Sequence, residues 1–379
     1  MPVSSSEIIE CIRCVMTSEA DKDIAFTETG LCNHCIRYDS LVTTRVVTGT
    51  RGLAKLDKLV AQIKFAGTGK EYDCLIGVSG GVDSTYVAYK VKQLGLRPLA
   101  VHLDNGWNSE LAVGNIEKIL KKLKIDLITY VIDWNEFRDL QLSFLKGSVP
   151  DGEVPTDHAI YALLWRMAAK HRIKYIISGM NFTTESMSVP AWSYGHSDWR
   201  YIKDVHKCHG SRTLKTYPHY NFLYLFWITF VRRIKTVSIL NYIDYNKHKV
   251  TQFLQDEFGW VSYGGKHYES NYTKFYQGYV LPVKFGVDKR YAHFSDLINA
   301  GQMSKDEAKK ALKDLPYDVS NIEAEKRYIQ KKLGLTENEF DIIMASPIRS
   351  YRDYKNSYWF VGFLKNLVNF MRKIGIYPR

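Results

Sequence analysis

Through the first half of the chain, short apolar runs alternate with longer amphipathic stretches. The runs Cys74-Leu75-Ile76-Gly77-Val78, Leu99-Ala100-Val101-His102-Leu103, Leu127-Ile128-Thr129-Tyr130-Val131-Ile132 and Tyr175-Ile176-Ile177-Ser178-Gly179 have the length and branching of buried strands. Between them, helical periodicity covers about 84–94, 111–123, 135–146 and 157–170. This alternation predicts an α/β fold, a doubly wound parallel sheet whose ligands lie beyond the carboxyl ends of its strands. Ahead of it, Leu53, Leu56, Leu59, Val60 and Ile63 recur at helical spacing. Beyond residue 190 the alternation stops. Residues 222–231 form an apolar run ending at Arg232-Arg233 and read as one core helix of an inserted subdomain. Ser304 to Glu307 is a capping box, and 321–333, 336–345 and an apolar stretch from Ser357 read as further helices. The expected division is a cysteine-bearing unit over 1–50, an α/β domain over 51–200, and a mostly helical, aromatic and basic region over 201–379.

Composition narrows the setting. The chain has 379 residues, 45% hydrophobic and 24% charged, as expected of a soluble globular protein. Its first residues lack a signal region, and its longest apolar run is about half a membrane span, so a cytoplasmic location without a transmembrane segment is expected. A net charge of +12 points to anionic company without choosing among nucleic acid, membrane and nucleotide. Four of the six cysteines form two CxxC pairs, Cys11/Cys14 and Cys32/Cys35, separated by seventeen residues. That spacing predicts a four-cysteine zinc ribbon with a closed, structural shell; an iron–sulfur cluster is the rival occupant. His34 reads as a surface residue of the second knuckle.

Ser79-Gly80-Gly81-Val82-Asp83-Ser84 joins the first strand to a helix start. Glycines allow close backbone approach, and first-turn N–H groups lack intrahelical partners, so this turn is an anion site. The spacing is neither that of the mononucleotide P-loop nor of the dinucleotide fingerprint. It resembles the PP-loop of the ATP pyrophosphatases, in which ATP is cleaved between its α and β phosphates. The resemblance implies ATP and Mg²⁺ as cofactors, with Ser79, Gly80, Gly81, Val82, Asp83 and Ser84 around the pyrophosphate. Asp83 would orient the loop or hold Mg²⁺. At the ends of the second and fourth strands, Asp104, Gly179, Asn181 and Glu185 are the further nucleotide-site candidates.

The stretches Tyr263-Gly-Gly-Lys-His-Tyr-Glu-Ser270 and Lys284-Phe-Gly-Val-Asp-Lys-Arg-Tyr-Ala-His293 collect cations beside glycines. Lys266, His267, Lys284 and His293 are candidates for substrate, and Lys289 and Arg290 for phosphate contacts during catalysis. Together with the two CxxC pairs and SGGVDS, these stretches resemble the N-acetyl sugar amidotransferases of the WbpG and PseA type, over nearly the whole chain. The resemblance implies conversion of an acetamido group on a nucleotide-activated sugar to an acetamidino group through an adenylate, in O-antigen or other surface-polysaccharide biosynthesis. Ammonia would come from a separate HisH-like glutaminase working with a HisF-like cyclase subunit. No cysteine here has a nucleophile-elbow setting of its own. The rival is a PP-loop enzyme that thiolates tRNA. Only Cys74 and Cys208 lie outside the ribbon, too few for the usual sulfur-transfer sets, so a stable nucleic-acid complex is not expected.

Overall fold

The computed structural model describes residues 8–265, 268–360, 362–363, 366 and 370. Five strands, β1 (Cys74–Gly77), β2 (Pro98–Asp104), β3 (Asp126–Val131), β4 (Tyr175–Ile177) and β5 (Lys235–Val237), form a single sheet in the order β3-β2-β1-β4-β5. Every pairing is parallel. The chain runs outward from β1 to β3 and then crosses back to β4, so β1 and β4, adjacent in the sheet, mark the topological switch point.

Ahead of the sheet lie α1 (Asn33–Arg45) and α2 (Gly49–Ala66); α3 (Val82–Gln93), α4 (Glu110–Leu123), α5 (Trp134–Lys146) and α6 (Val154–Lys170) follow β1, β2 and β3. The side-chain period of two divides β1 between two cores. Ile76 packs with Val60, Val87, Ile116 and, from the later α9 (Lys247–Phe258), Leu254. Leu75 packs with Leu99, Val101, Leu163 and Ile176 on the opposite face. Both faces are therefore apolar, as a parallel sheet requires.

The boundary expected at residue 200 is not a boundary of the sheet. β5, a three-residue edge strand led by a lysine, lies beyond it, and its pairing with β4 completes the order. Between them stand α7 (Trp199–His209) and α8 (Phe222–Phe226). The run at 222–231 is not one core helix: α8 passes into a wide π-helical turn over Trp227–Val231. Ile228 plugs the sheet face with Tyr224 packed beside it, while Leu223 is 80% and Val231 60% exposed. A short edge strand offers room for an anchor or two and not for a whole apolar face.

Further α-helices among the described residues include α10 (Asn271–Phe275), α11 (Arg290–Asn299), α12 (Lys305–Lys313), α13 (Ile322–Leu333) and α14 (Glu337–Ala345). All but α12 share a third core with α5 and α7, built from Trp107, Phe137, Phe144, Tyr201, Tyr276 and Phe340. Trp107 belongs to the loop after β2, and its indole N–H donates to Gln141 at 2.5 Å. Asn271 N–H in turn donates to the Trp107 carbonyl at 2.9 Å. The carboxyl edge of the sheet is thus tied to the start of the helical region, and a cavity forms between them.

Candidate active site

The loop between β1 and α3 is shaped by its glycines. Gly80 has φ +85°, and a Cβ there would lie 2.7 Å from the Ala112 carbonyl. A Cβ on Gly81 would come 2.9 Å from Glu269 Oε1, and one on Gly179 3.1 Å from Ser84 N. Trp260 Nε1 donates to the Gly80 carbonyl at 2.9 Å, and the Tyr263 hydroxyl donates to the same oxygen. That carbonyl is held away, so the turn shows N–H groups and hydroxyls to the cavity. Ser84 Oγ donates to the Gly81 carbonyl at 3.1 Å and lies 3.1 Å from Ser79 Oγ. Such a turn at a helix N-terminus suits an anion of several oxygens.

Asp83 is the acid of this loop. It accepts from the Tyr245 hydroxyl, from Asn181 Nδ2 at 3.4 Å, and lies 3.8 Å from Lys247 Nζ. Burial, and then the Asp83 charge, push the Tyr245 phenol far up, so it stays a donor. Glu269 faces the same loop. Its carboxyl is raised by burial and by the charges of Asp83 and Glu185, against the pull of Lys247. Three carboxylates about an anion turn are hard oxygen donors of the type Mg²⁺ takes.

The cavity has a volume of about 810 Å³. Ser79, Gly81, Val82, Asp83, Ser84, Gly179, Glu185, Lys289 and His293 all line it, so most of the residues singled out from the sequence meet in one place. One wall, Ile160, Leu163, Leu164 and Ile177, is apolar and suits a flat ring. The opposite end is polar.

Five candidates fall elsewhere. Asp104 Oδ1 closes its own turn, accepting from Gly106 N at 2.9 Å and Asn108 Nδ2 at 3.2 Å, while its neighbours Asn105 and Asn108 reach the cavity. Gly80 is buried behind the loop. Asn181 is fully buried beneath it, accepting from Thr184 N at 2.8 Å and steadying Asp83. The Arg290 guanidinium is forked onto Asp288 and donates to the Ala311 and Asp314 carbonyls at the end of α12. Lys284 Nζ donates to the carbonyls of Ile343, Met344 and Ser346, closing the end of α14. Lys266 and His267 lie outside the described residues.

The polar end holds residues that the sequence did not single out. Asp151 and Asp157 flank His196, each with a carboxylate oxygen 3.2 Å from its Nε2. Burial opposes charge on His196, but the two carboxylates outweigh it and raise the imidazole well above its ordinary value. Burial likewise works against the Asp151 carboxylate, yet the His196 charge holds it below the usual range. Glu153 stands between them and α10, accepting from Thr273 Oγ1 at 2.6 Å. Burial, aided by Asp157 and Asp151, pushes its carboxyl up to about 7 against Thr273 and Lys289. A visible signal was the acidic spacing 151, 153, 157 around a proline at a helix start; Glu269 lay inside the YGGKHYES stretch noted for its cations.

The four cysteines of the CxxC pairs are buried, and their sulfurs lie within 4.8 Å of one another. Cys11 and Cys35 Sγ are 3.9 Å apart, Cys14 and Cys32 Sγ 3.7 Å. A tetrahedron with zinc–sulfur bonds of about 2.3 Å has edges of roughly 3.8 Å, so the set fits a structural zinc ion. The Cys14 thiol is pushed up by Cys32 and Cys35 and by burial, so a tetrathiolate needs a cation at its centre. His34 is buried rather than on the surface, 2.7 Å from Asp21 Oδ2, because the knuckle folds back on the loop between the pairs. The knuckle also reaches the site. Cys35 Sγ lies 3.4 Å from Asn299 Oδ1 on α11, and Tyr38 Oη donates to the Thr183 carbonyl. Asp296, one turn earlier on α11, accepts from Ser186 N, Ser186 Oγ and Met187 N, next to Glu185.

A glycine anion turn after the central strand, a parallel sheet of order 3-2-1-4-5 and a cavity at its carboxyl edge are those of a doubly wound α/β fold with its ligand site at the switch point. Residues 269–368 match the family model of the LPS biosynthesis protein WbpG-like, C-terminal domain. No curated protein matches the chain. Among solved structures, the chain is similar to NH3-dependent NAD synthetase from Campylobacter jejuni subsp. jejuni, with 13% identity, coverage of 78% of this chain and 98% of that one, and a TM-score of 0.31. NMN synthetase from Francisella tularensis shows 16% identity over 56% of this chain and 89% of its own, at a TM-score of 0.30. A predicted subunit of tRNA methyltransferase from Methanocaldococcus jannaschii shows 13% over 48% and 74%, at 0.29. These likenesses are too remote to carry function.

Proposed function

We propose that the chain is an ATP-dependent amidotransferase that converts the acetamido group of a nucleotide-activated sugar to an acetamidino group. The observation that carries this reading is a shared cavity. The WbpG-like segment contributes Glu269, Thr273, Lys289 and His293 to the same space that the SGGVDS loop lines. An anion-holding turn and the family's own domain therefore face one reaction volume.

The chemistry follows from the amide. Its carbonyl is a poor electrophile and oxide a poor leaving group, so the oxygen is activated first. Attack of the acetamido oxygen on the α-phosphorus of ATP forms a C–O–P linkage and releases pyrophosphate; ammonia then replaces AMP at carbon. The turn at 79–84 holds the departing pyrophosphate with N–H and hydroxyl donors, and Lys289 adds a cation from the start of α11. Asp83, Glu185 and Glu269 would hold Mg²⁺, which when bound offsets phosphate charge. The apolar wall at Leu163, Leu164 and Ile177 receives the adenine.

Cys74 is buried in β1, and Cys208 sits exposed near the end of α7. Neither lines the cavity, which favours nitrogen over sulfur transfer. Ammonia would be supplied by a separate HisH-like glutaminase with a HisF-like subunit, and the product used in surface-polysaccharide assembly. The test is incubation with ATP, Mg²⁺, ammonium and UDP-linked diacetamido sugars beside bulk tRNA. Sugar-dependent AMP release with a product in which NH has replaced O is the expected result; AMP release driven by tRNA alone would sink the sugar assignment.

A further inference from the structure

Among the polar-end groups that the steps above do not use, one carboxylate has an open oxygen. Glu153 has a relative exposure of only 9%, and its Oε1 receives no hydrogen bond among the described residues, although its Oε2 accepts from Thr273 at 2.6 Å. It lines the cavity beside Asp151, Asp157, His196 and Lys289. A buried carboxylate oxygen left without a donor is costly unless a ligand supplies one.

We propose that Glu153 is the proton acceptor for the nitrogen that enters the cavity, with Asp151, Asp157 and His196 fixing the polar end around it. The inference rests on the amidotransferase reading. Each neighbour is already committed. Asp151 and Asp157 are engaged by His196, His196 keeps its protons between two carboxylates, and Lys289 is a cation. Glu153 alone in this group pairs an open oxygen with an affinity for protons near neutrality.

The step balances. Ammonia forms a C–N bond with the activated carbon, giving a tetrahedral adduct whose nitrogen is –NH₃⁺. The Glu153 carboxylate takes one proton from that nitrogen. The C–O bond to AMP then breaks, the oxygen leaving with the electron pair, and the sugar carries an amidinium. Without the proton transfer, the –NH₃⁺ nitrogen has no lone pair with which to help expel AMP or to share the amidinium charge.

Titration of Glu153 is set by every element packed on it: Asp157 from α6, Asp151 from the turn before it, Thr273 and Tyr272 from α10, Tyr276 beyond it and Lys289 ahead of α11. Two variants of the full chain test the proposal, each assayed for sugar-dependent pyrophosphate–ATP exchange and for ammonium-dependent amidine formation. In Glu153→Gln, amidine formation should fall by about a hundredfold or more, the usual worth of a positioned base, while the exchange, which needs no acceptor for nitrogen, falls much less. In Thr273→Val, loss of the hydrogen bond that holds the Glu153 carboxyl down should move the acidic limb of amidine formation to higher pH and leave the exchange profile in place. Amidine formation in Glu153→Gln at the wild-type rate, or an unmoved limb in Thr273→Val, overturns the inference alone. A wild type with no sugar-dependent exchange overturns the amidotransferase reading and the inference together.

Discussion

At the loop end of the cavity the ligand surface is made by backbone. The turn at 79–84 supplies it, with Gly80 set behind, and Trp260 and Tyr263 hold the Gly80 carbonyl away so that N–H groups face inward. At the polar end the surface is made by side chains from separate segments, with Asp151, Glu153 and Asp157 before and on α6, His196 ahead of α7, Thr273 on α10 and Lys289 at α11. A backbone site tolerates little change of residue type, because its geometry depends on glycines at fixed places. A side-chain site depends on distant packing, and its charges set one another's protonation. The loop end is therefore suited to a constant ligand such as phosphate, and the polar end to whatever the particular substrate demands.

The comparison breaks most visibly if the loop end is disarmed. Asp83→Asn should lower AMP release by about a hundredfold or more while the melting temperature stays near wild type, since the loss is of electrostatic organisation at the reacting phosphate. AMP release within a few-fold of wild type would remove Asp83 from the mechanism. Next in size comes the cysteine knuckle, which touches neither end directly but braces α11 and the Glu185 loop. Metal removal by a chelator, or Cys14→Ser, should release bound zinc and cost several kcal/mol, at roughly 2–4 °C of melting temperature per kcal/mol. Metal analysis and thermal melting check this; an unaltered melting curve in metal-free protein would show that the knuckle is not a brace.

The polar end is sharpened by pH. His196 has a folded pKa above its unfolded value, so its stabilisation is fully present below about pH 6.5 and is lost as pH rises through the raised value. The melting temperature of His196→Gln should therefore trail wild type at neutral pH and approach it in the alkaline range. A constant gap across that range would mean that the ion pairs with Asp151 and Asp157 are not what His196 contributes. The smallest effect belongs to Lys284→Met. Its ammonium bonds three carbonyls at the end of α14, so about 1–3 kcal/mol of stability is expected to go, with ATP dependence unchanged. A changed dependence on ATP or sugar would return Lys284 to the site.

Much of the framework was legible before any coordinates. Four of the five strands, the anion loop and the four-cysteine set stood out because each signal spans only a few residues and has a local physical cause. β5 did not, being three residues long with a lysine at its head and, among the described residues, paired with β4 alone. The run at 222–231 misled because hydrophobicity reports a wish for burial and not whether the fold has room for it. Glu153 and Glu269 did not stand out as site residues, since an acidic side chain at a helix start or in a polar loop is ordinary in sequence.

Lys289 and Arg290 show where local reading ends. They are adjacent, equally charged and both stood out as phosphate contacts, yet Lys289 lines the cavity while Arg290 is spent on Asp288 and the end of α12. Successive residues entering a helix point about 100° apart, so one turn of α11 sends one cation into the site and the other into the framework. The sequence by itself determined the types of chemistry present: a turn for an anion, four thiols spaced for a metal ion, carboxylates and cations in reserve. Tertiary structure decided which of those groups share a cavity, because direction and burial come from contacts between segments far apart along the chain.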